Sequence, residues 1–253
     1  MKTRLDKALV ERGLVASRER AQALILAGRV LVAEQRADKP GTAIEDDVPI
    51  RLLGEDLKYV SRGGLKLERG LEHWSISLEA RACLDVGAST GGFTDCMLQH
   101  GAAHVLAVDT GYGQIAHKLR VDPRVSLMER YNARLLKPGE LIAKTQPQIS
   151  FLAMDVSFIS ATLVLPAVVA ALAPAGERWE GEAVVLVKPQ FEAGRENVGK
   201  GGIVREDAAR QFAIARVRDC VAALGASDIE VTDSPITGAE GNVEYLLHAL
   251  FRP

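Results

Sequence analysis

Five short, nearly continuous apolar runs most constrain how this chain folds: Ala82-Cys-Leu-Asp-Val-Gly87, His104-Val-Leu-Ala-Val-Asp109, Arg124-Val-Ser-Leu-Met128, Ile149-Ser-Phe-Leu-Ala-Met-Asp155 and Ala183-Val-Val-Leu-Val-Lys188. Runs this short, without polar alternation, suit strands buried on both faces of a parallel sheet. Helical stretches are expected at Thr94–His100, Ala161–Leu172 and Asp207–Leu224. Near the end, Ile229-Glu-Val-Thr-Asp233 and Asn242-Val-Glu-Tyr-Leu-Leu-His-Ala-Leu250 leave no room for a crossover helix, so they are expected as an antiparallel pair. The spacing therefore predicts an α/β, Rossmann-like, mostly parallel sheet with an antiparallel last strand over residues 82–253.

The first 58 residues follow another rhythm. Leu5, Ala8 and Leu9 share a helical face that Gly13 can end, and Ser17 is placed to cap a second helix running to Ala27. Arg29-Val-Leu-Val32 and Val48-Pro-Ile-Arg-Leu-Leu53 read as strands, with Asp38-Lys-Pro-Gly41 a turn between them. This predicts a small α+β domain over 1–58, then a linker and lead-in helix over 59–81, with the boundary between Gly54 and Gly64.

Residues 1–36 hold eight Lys and Arg against four Asp and Glu, although the whole chain has a net charge of −2. A basic end on an acidic body suggests contact with a polyanion; the plainer reading is a solvated helix face. The candidate contacts are Arg4, Lys7, Arg18, Arg20 and Arg29, with Arg62 at the junction. The cysteines Cys83, Cys96 and Cys220 are too few and scattered for a disulfide framework or a Cys-rich zinc site. No metal site is expected. The opening residues lack a signal-peptide core, and no apolar stretch approaches the roughly 20 residues of a membrane helix. A cytoplasmic protein is expected.

The first run of the sheet enters Asp85-Val-Gly-Ala-Ser-Thr-Gly-Gly-Phe-Thr-Asp95. A glycine-rich turn between strand and helix lets a ligand approach the backbone, and Asp109 at the end of the second run can accept hydrogen bonds from ribose hydroxyls. The spacing Gly87-x-x-x-Gly91-Gly92 departs from the dinucleotide fingerprint G-x-G-x-x-G. Acidic Asp85 and Asp95, at the loop mouth, suit a cation-bearing ligand better than a pyrophosphate. S-adenosylmethionine, with its sulfonium and ammonium, is favoured; a nicotinamide cofactor and a purely structural turn stay open. Its contacts are expected from Asp85, Gly87, Ala88, Ser89, Gly91, Gly92, Phe93 and Asp109. Asn132 either approaches the adenine or serves its own turn.

Three charges sit where a buried strand does not normally tolerate one: Asp155 and Lys188 at strand ends, and Glu244 inside the apolar final strand. The carboxyl ends of parallel strands face one crevice, so Asp155 and Lys188 are expected to meet there, either as a catalytic pair or as a structural ion pair. Lys66, where the two domains join, reads by itself as a surface lysine.

The blocks Tyr59-Val-Ser-Arg-Gly-Gly-Leu-Lys66-Leu, Leu84–Asp95, Asp155-Val-Ser-Phe-Ile-Ser160, Val187-Lys-Pro-Gln-Phe-Glu192 and Gly241-Asn-Val-Glu-Tyr245 resemble the TlyA/haemolysin-A family. The resemblance covers nearly the whole chain. It implies an FtsJ/RrmJ-like methyltransferase domain behind an alpha-L RNA-binding motif, acting on a cytidine ribose 2′-hydroxyl of ribosomal RNA with S-adenosylmethionine. The family's Lys-Asp-Lys-Glu tetrad falls on Lys66, Asp155, Lys188 and Glu244. Lys188 is either the neutral base that takes the 2′-hydroxyl proton or a protonated group that only steers the oxygen. The haemolysin label finds no secretion or membrane-inserting feature here.

Asp155-Val-Ser-Phe158 is unlike the Asn/Asp-Pro-Pro-aromatic turn of amino-group methyltransferases, and no cysteine is placed to attack a cytosine carbon. A non-catalytic RNA-binding or assembly factor that keeps the fold for shape is the alternative from another class. An NAD-linked oxidoreductase is the weaker enzyme alternative.

Overall fold

The computed structural model describes residues 2–15, 17–53, 58–145, 147–238 and 241–252, and the chain divides into two compact units, 1–57 and 58–253. Part of the boundary stretch expected from Gly54 onward, Gly54–Leu57, lies outside the described residues.

The first unit runs β1 (Lys2–Arg4), α1 (Leu5–Glu11), α2 (Arg18–Leu26), β2 (Val30–Val32), β3 (Gln35–Ala37), β4 (Ala43–Glu45) and β5 (Ile50–Leu52). Gly13 (φ +67°) follows α1, and the Ser17 side chain accepts a hydrogen bond from Arg20 N to cap α2. Leu5, Leu9, Ala21, Ile25 and Val30 close a small core. Antiparallel β1–β4 and β3–β2–β5 ladders lie beside it.

The second unit opens with α3 (Gly63–His73) and continues β6 (Ala82–Val86), α4 (Gly92–Gln99), β7 (His104–Val108), α5 (His117–Arg120), β8 (Val125–Met128), β9 (Ile149–Met154), α6 (Leu165–Ala171), β10 (Gly181–Val187), α7 (Pro189–Glu192), α8 (Asp207–Ala223), β11 (Ala226–Asp233) and β12 (Tyr245–Phe251). Its seven strands are ordered β11-β12-β10-β9-β6-β7-β8, and only β12 runs against its neighbours. Every residue of β6 is buried. Leu84 and Val86 face one core cluster, and Cys83 faces the other. Burial on both faces is the reason these strands lack alternation.

Two expectations need correction. Ala161–Leu172 is not one helix: a 3₁₀ turn over Ala161–Leu163 precedes α6, because Pro166 is tolerated only in a first helical turn. The final strand begins at Tyr245, so Glu244 lies just before it rather than inside it. Asn242 instead holds a loop, its Oδ1 accepting from Val204 N at 3.1 Å and its Nδ2 donating to Gly202 O at 2.9 Å. Among the described residues, no helix is long and apolar enough to cross a membrane.

Candidate active site

β6 is flanked by β7 and β9, so the chain leaves it in one direction and returns on its other side. That is the topological switch point at which the loops after neighbouring strands diverge and ligands bind. They diverge from close contact. Asp155 N donates to Val86 O at 2.9 Å, and a Cβ on Gly87 (φ +89°) would collide with the Asp155 carbonyl. Glycine is required there by both conformation and space.

The larger cleft, about 530 Å³, lies between the loops after β7, β8 and β9. Asp109 and Asp155 line it, and among the described residues no Lys or Arg does. Asp109 Oδ2 accepts from Ser89 N at 2.8 Å, tying its carboxylate to the glycine loop, and Oδ1 accepts from Gly111 N at 2.6 Å. Asn132 faces the same cleft while its Oδ1 accepts from Arg134 N at 3.1 Å, so it caps its own turn and borders the cavity at once. Of the two carboxylates, Asp155 is balanced by Lys188 behind it, and Asp109 is left to favour a positively charged nucleoside over a pyrophosphate.

The remaining loop residues divide. Gly87 and Ser89 border both clefts, whereas Ala88, Gly92 and Phe93 border only a smaller one of about 260 Å³. Gly91 borders neither; a Cβ there would meet Leu119 and Ile115, so it serves packing against α5. Asp85 also borders neither. It is fully buried, its Oδ2 accepts from Thr94 Oγ1 at 2.6 Å, and its Oδ1 has no partner. Burial, opposed by the Thr94 hydrogen bond and reinforced by the charges of Asp155 and Asp109, pushes its carboxyl up to about 7.

Asp95 is not at the loop mouth. It is buried, and its carboxylate accepts from Val60 N at 2.8 Å and from Lys118 Nζ at 2.9 and 3.0 Å. It holds α4 against the segment before α3.

The smaller cleft is bordered by Arg62, Lys66, Gly87, Phe93, Asp155 and Gly238, among others. Lys66, buried on α3, forms an ion pair with the buried Glu244. Lys188, buried at the end of β10, places Nζ 2.5 Å from Asp155 Oδ1 and donates to Ser157 Oγ at 2.7 Å. Asp155 lines both clefts, so it links the two pairs to the larger cavity. Lys66 is thus no surface lysine. The structure brings the four charges to one strand-edge region as two oppositely charged pairs, with Lys66, Glu244 and Lys188 buried and Asp155 partly exposed.

Three residues escaped the sequence reading. Ser157 holds the Lys188 amine. Glu192, almost wholly buried on α7, accepts from Ser160 Oγ at 2.5 Å and from Ala161 N at 2.6 Å; burial raises its pKa. Phe158 is 93% exposed with φ +64° and borders the larger cleft. For Phe158 the available signal was an aromatic residue shortly after a strand-end aspartate; Ser157 and Glu192 gave none.

In the first unit, Asp6 is fully buried and accepts from Arg4 (3.0 Å), Arg18 (2.9 Å) and Gln22 (3.0 Å). Arg4 and Arg18 are therefore anchored by a buried carboxylate as well as partly exposed. Lys7 pairs with Glu11 at 3.3 Å, and Arg29 Nε donates to Leu53 O at 2.9 Å. Arg20 lies on α2 and is half-buried; Arg62 is exposed beside the smaller cleft.

Comparison with known proteins adds the following. The FtsJ-like methyltransferase profile matches residues 59–251, and the S4 domain matches residues 3–48. The chain is 43% identical over 247 residues to the 16S/23S rRNA (cytidine-2′-O)-methyltransferase TlyA of Mycobacterium tuberculosis, covering 97% of this chain and 89% of that protein. A solved structure described as a "putative hemolysin" from Streptococcus thermophilus superposes with a TM-score of 0.73 and 45% identity, over 99% of this chain and 88% of that one. A more distant S-adenosylmethionine-dependent methyltransferase from Mesorhizobium loti shares the fold, with a TM-score of 0.50 and 15% identity over 72% of this chain and 95% of that one.

Proposed function

Because this chain belongs to the FtsJ-like methyltransferase family and carries an S4 domain ahead of its catalytic unit, we propose that it methylates a cytidine ribose 2′-hydroxyl in ribosomal RNA. The methyl donor is S-adenosylmethionine, and bound it supplies an electrophilic methyl group on a sulfonium.

Asp109 accepts from the cofactor ribose hydroxyls, and Asn132 borders the adenine. Gly87, Ala88 and Ser89 let the cofactor approach the backbone, and Gly91, Gly92 and Phe93 shape the loop around it. Asp85 acts from beneath, as a buried carboxyl two residues from Gly87. RNA is held by the basic residues Arg4, Lys7, Arg18, Arg20 and Arg29 of the S4 domain and by Arg62 beside the smaller cleft. Phosphate contacts of this kind weaken with salt.

The 2′-hydroxyl is a poor nucleophile that must be aimed at the methyl and relieved of its proton. Lys66, Asp155, Lys188 and Glu244 do both. With S-adenosylmethionine bound, its sulfonium S–C bond would break as the methyl joined the 2′-oxygen, leaving the thioether, and the hydroxyl proton would pass to the Lys188 amine if that amine is neutral. A protonated Lys188 steers the oxygen instead, and the proton leaves to solvent.

The observation that carries this reading is the meeting of Lys66–Glu244 and Lys188–Asp155 beside the glycine loop, from positions as far as 178 residues apart. The test is incubation of the purified protein with S-adenosylmethionine and ribosomal subunits or free ribosomal RNA, followed by mapping of 2′-O-methyl marks. A new mark on a cytidine ribose is expected. Cofactor binding without any methyl incorporation would favour the non-catalytic assembly factor.

A further inference from the structure

The Lys188 amine has two oxygen neighbours, and only one of them, Asp155, belongs to the charged tetrad. Asp155 Oδ1 lies 2.5 Å from Nζ as its ion-pair partner. The other is Ser157 Oγ, in the loop after β9, to which Nζ donates at 2.7 Å. We infer that Ser157 is a positioning residue for the reaction: its hydroxyl holds one N–H of the amine, and so sets which way Nζ faces the substrate hydroxyl while Asp155 supplies the counter-charge. The inference rests on the methyl-transfer reading above and deepens it.

The same geometry serves either state of Lys188. A neutral amine donates an N–H to Ser157 and presents its lone pair to the substrate proton. An ammonium presents an N–H instead. With Asp155 alone, the nitrogen can turn about the Cε–Nζ bond, and the direction it presents is no longer specified. Preorganisation of this kind acts on the chemical step rather than on binding.

The loop is built to hold Ser157 in place. It is pinned at its start by the backbone bond from Asp155 N to Val86 O, and at its end by Ser160 Oγ donating to Glu192 at 2.5 Å. Glu192 lies on α7, the short helix that begins directly after Lys188. The buried carboxylate thus ties the serine loop to the element carrying the lysine. Between the two pins, the chain reverses through Phe158 at φ +64°.

The test uses the full-length protein with its ribosomal RNA substrate and compares Ser157→Ala and Ser157→Thr with wild type. In Ser157→Ala the single-turnover rate falls about tenfold while affinities for S-adenosylmethionine and RNA hold, and Ser157→Thr, which keeps the hydroxyl, restores most of the rate. A pH series adds a readout that a merely structural serine would not move. The charged group in contact with this amine is Asp155 after β9, whose charge acts in turn on Asp85 of β6; the Lys66–Glu244 pair, from α3 and the residue before β12, reaches the region through the smaller cleft that Lys66 and Asp155 both line, and Glu192 on α7 is bound to Ser160 of the same loop. Loss of one acceptor from an ammonium disfavours the charged form, so the half-plateau pH falls in Ser157→Ala and returns in Ser157→Thr.

An unchanged rate and pH profile in Ser157→Ala, or a rate loss that only tracks weakened cofactor binding, would overturn the inference. A flat wild-type profile removes the base version of Lys188 but leaves the rate comparison to decide the role of Ser157. If no methyl is transferred at all, the function reading fails separately. The ¹⁵N signal of the Lys188 side chain, assigned by its loss in Lys188→Arg, then decides: it shifts in Ser157→Ala if the hydroxyl holds the amine and stays fixed if it does not.

Discussion

Gly87→Ala tests whether the contact between the ends of β6 and β9 shapes the cofactor cleft. At φ +89° an alanine carries about 1–2 kcal/mol of backbone strain. Its Cβ would lie 2.9 Å from the carbonyl carbon of Asp155, closer still to the oxygen, and 3.3 Å from Val156 N. These are backbone atoms of a paired strand end, so they cannot swing aside as a side chain would. Parting the two loops by several tenths of an ångström adds about 1–3 kcal/mol. Reduced freedom of the unfolded chain returns about 0.4–1 kcal/mol, leaving a net loss of about 1–4.5 kcal/mol, centred near 3. Gly176→Ala is the control, because it has the same sign of φ (+87°) and nothing within 4 Å; its net loss is about 1 kcal/mol. Both tryptophans, Trp74 and Trp179, lie in the catalytic unit, so urea unfolding followed by their fluorescence reads the right transition. Calorimetric titration should show S-adenosylmethionine binding weakened at least about tenfold in Gly87→Ala, equivalent to 1.4 kcal/mol, and unchanged in Gly176→Ala. Equal destabilisation of the two variants with intact cofactor affinity would refute the reasoning.

Lys188→Ala should bind S-adenosylmethionine as wild type does and lose methyl transfer by about a hundredfold or more; full activity would remove Lys188 from the mechanism. Asp85, pushed up to about 7 by burial, keeps its proton in the folded chain while the unfolded carboxyl loses its own near 3.9. Stability of the cofactor-free protein should therefore fall as pH rises from about 4 to 7 and level off above, and Asp85→Asn should lack that slope; parallel curves would contradict it. Asp6 is the opposite case: its hydrogen bond from Arg4 leads in holding its carboxyl well below the usual range, so the stability it contributes is present near neutrality and is lost as the pH drops below about 4. Asp6→Ala should destabilise the first unit by about 2 kcal/mol, seen as faster amide exchange in α1 and α2, while the tryptophan-reported transition stays put.

The legibility of the sequence follows from what each element must bury. β6, β7, β9 and β10 were visible because both faces of each strand are covered, which writes an apolar run into the chain, whereas β8 at the sheet edge is only partly buried and showed by its apolar residues alone. β1, β3 and β4 were invisible because three residues, mostly exposed, carry no period. Asp155 and Lys188 stood out as charges ending apolar runs. Asp95 misled because an acid beside a glycine loop looks the same whether it meets a ligand or a strut, and only the fold brings Lys118 and Val60 N to it. Ser157 and Glu192 were silent for a related reason. Each acts on a partner about thirty residues away in sequence, and neither residue type is unusual where it stands.

The arrangement of the four charges also says why a protein would retain them. Burying an ion pair gains little for stability over apolar residues of the same size, because desolvation offsets most of the attraction. Two such pairs at one sheet edge are therefore a poor way to hold α3 onto β12 or β9 beside β10, which the apolar clusters already do. Pairing does something else. Each amine is held by a carboxylate, so no unpaired lysine charge is left buried, and under the proposed reaction neither lysine would need to reorganise when an RNA oxygen entered. Lys66 and Glu244 come from opposite ends of the catalytic unit, 178 residues apart, so this arrangement exists only once the whole sheet has closed. A preorganised electrostatic site then becomes a property of the complete fold rather than of any local segment.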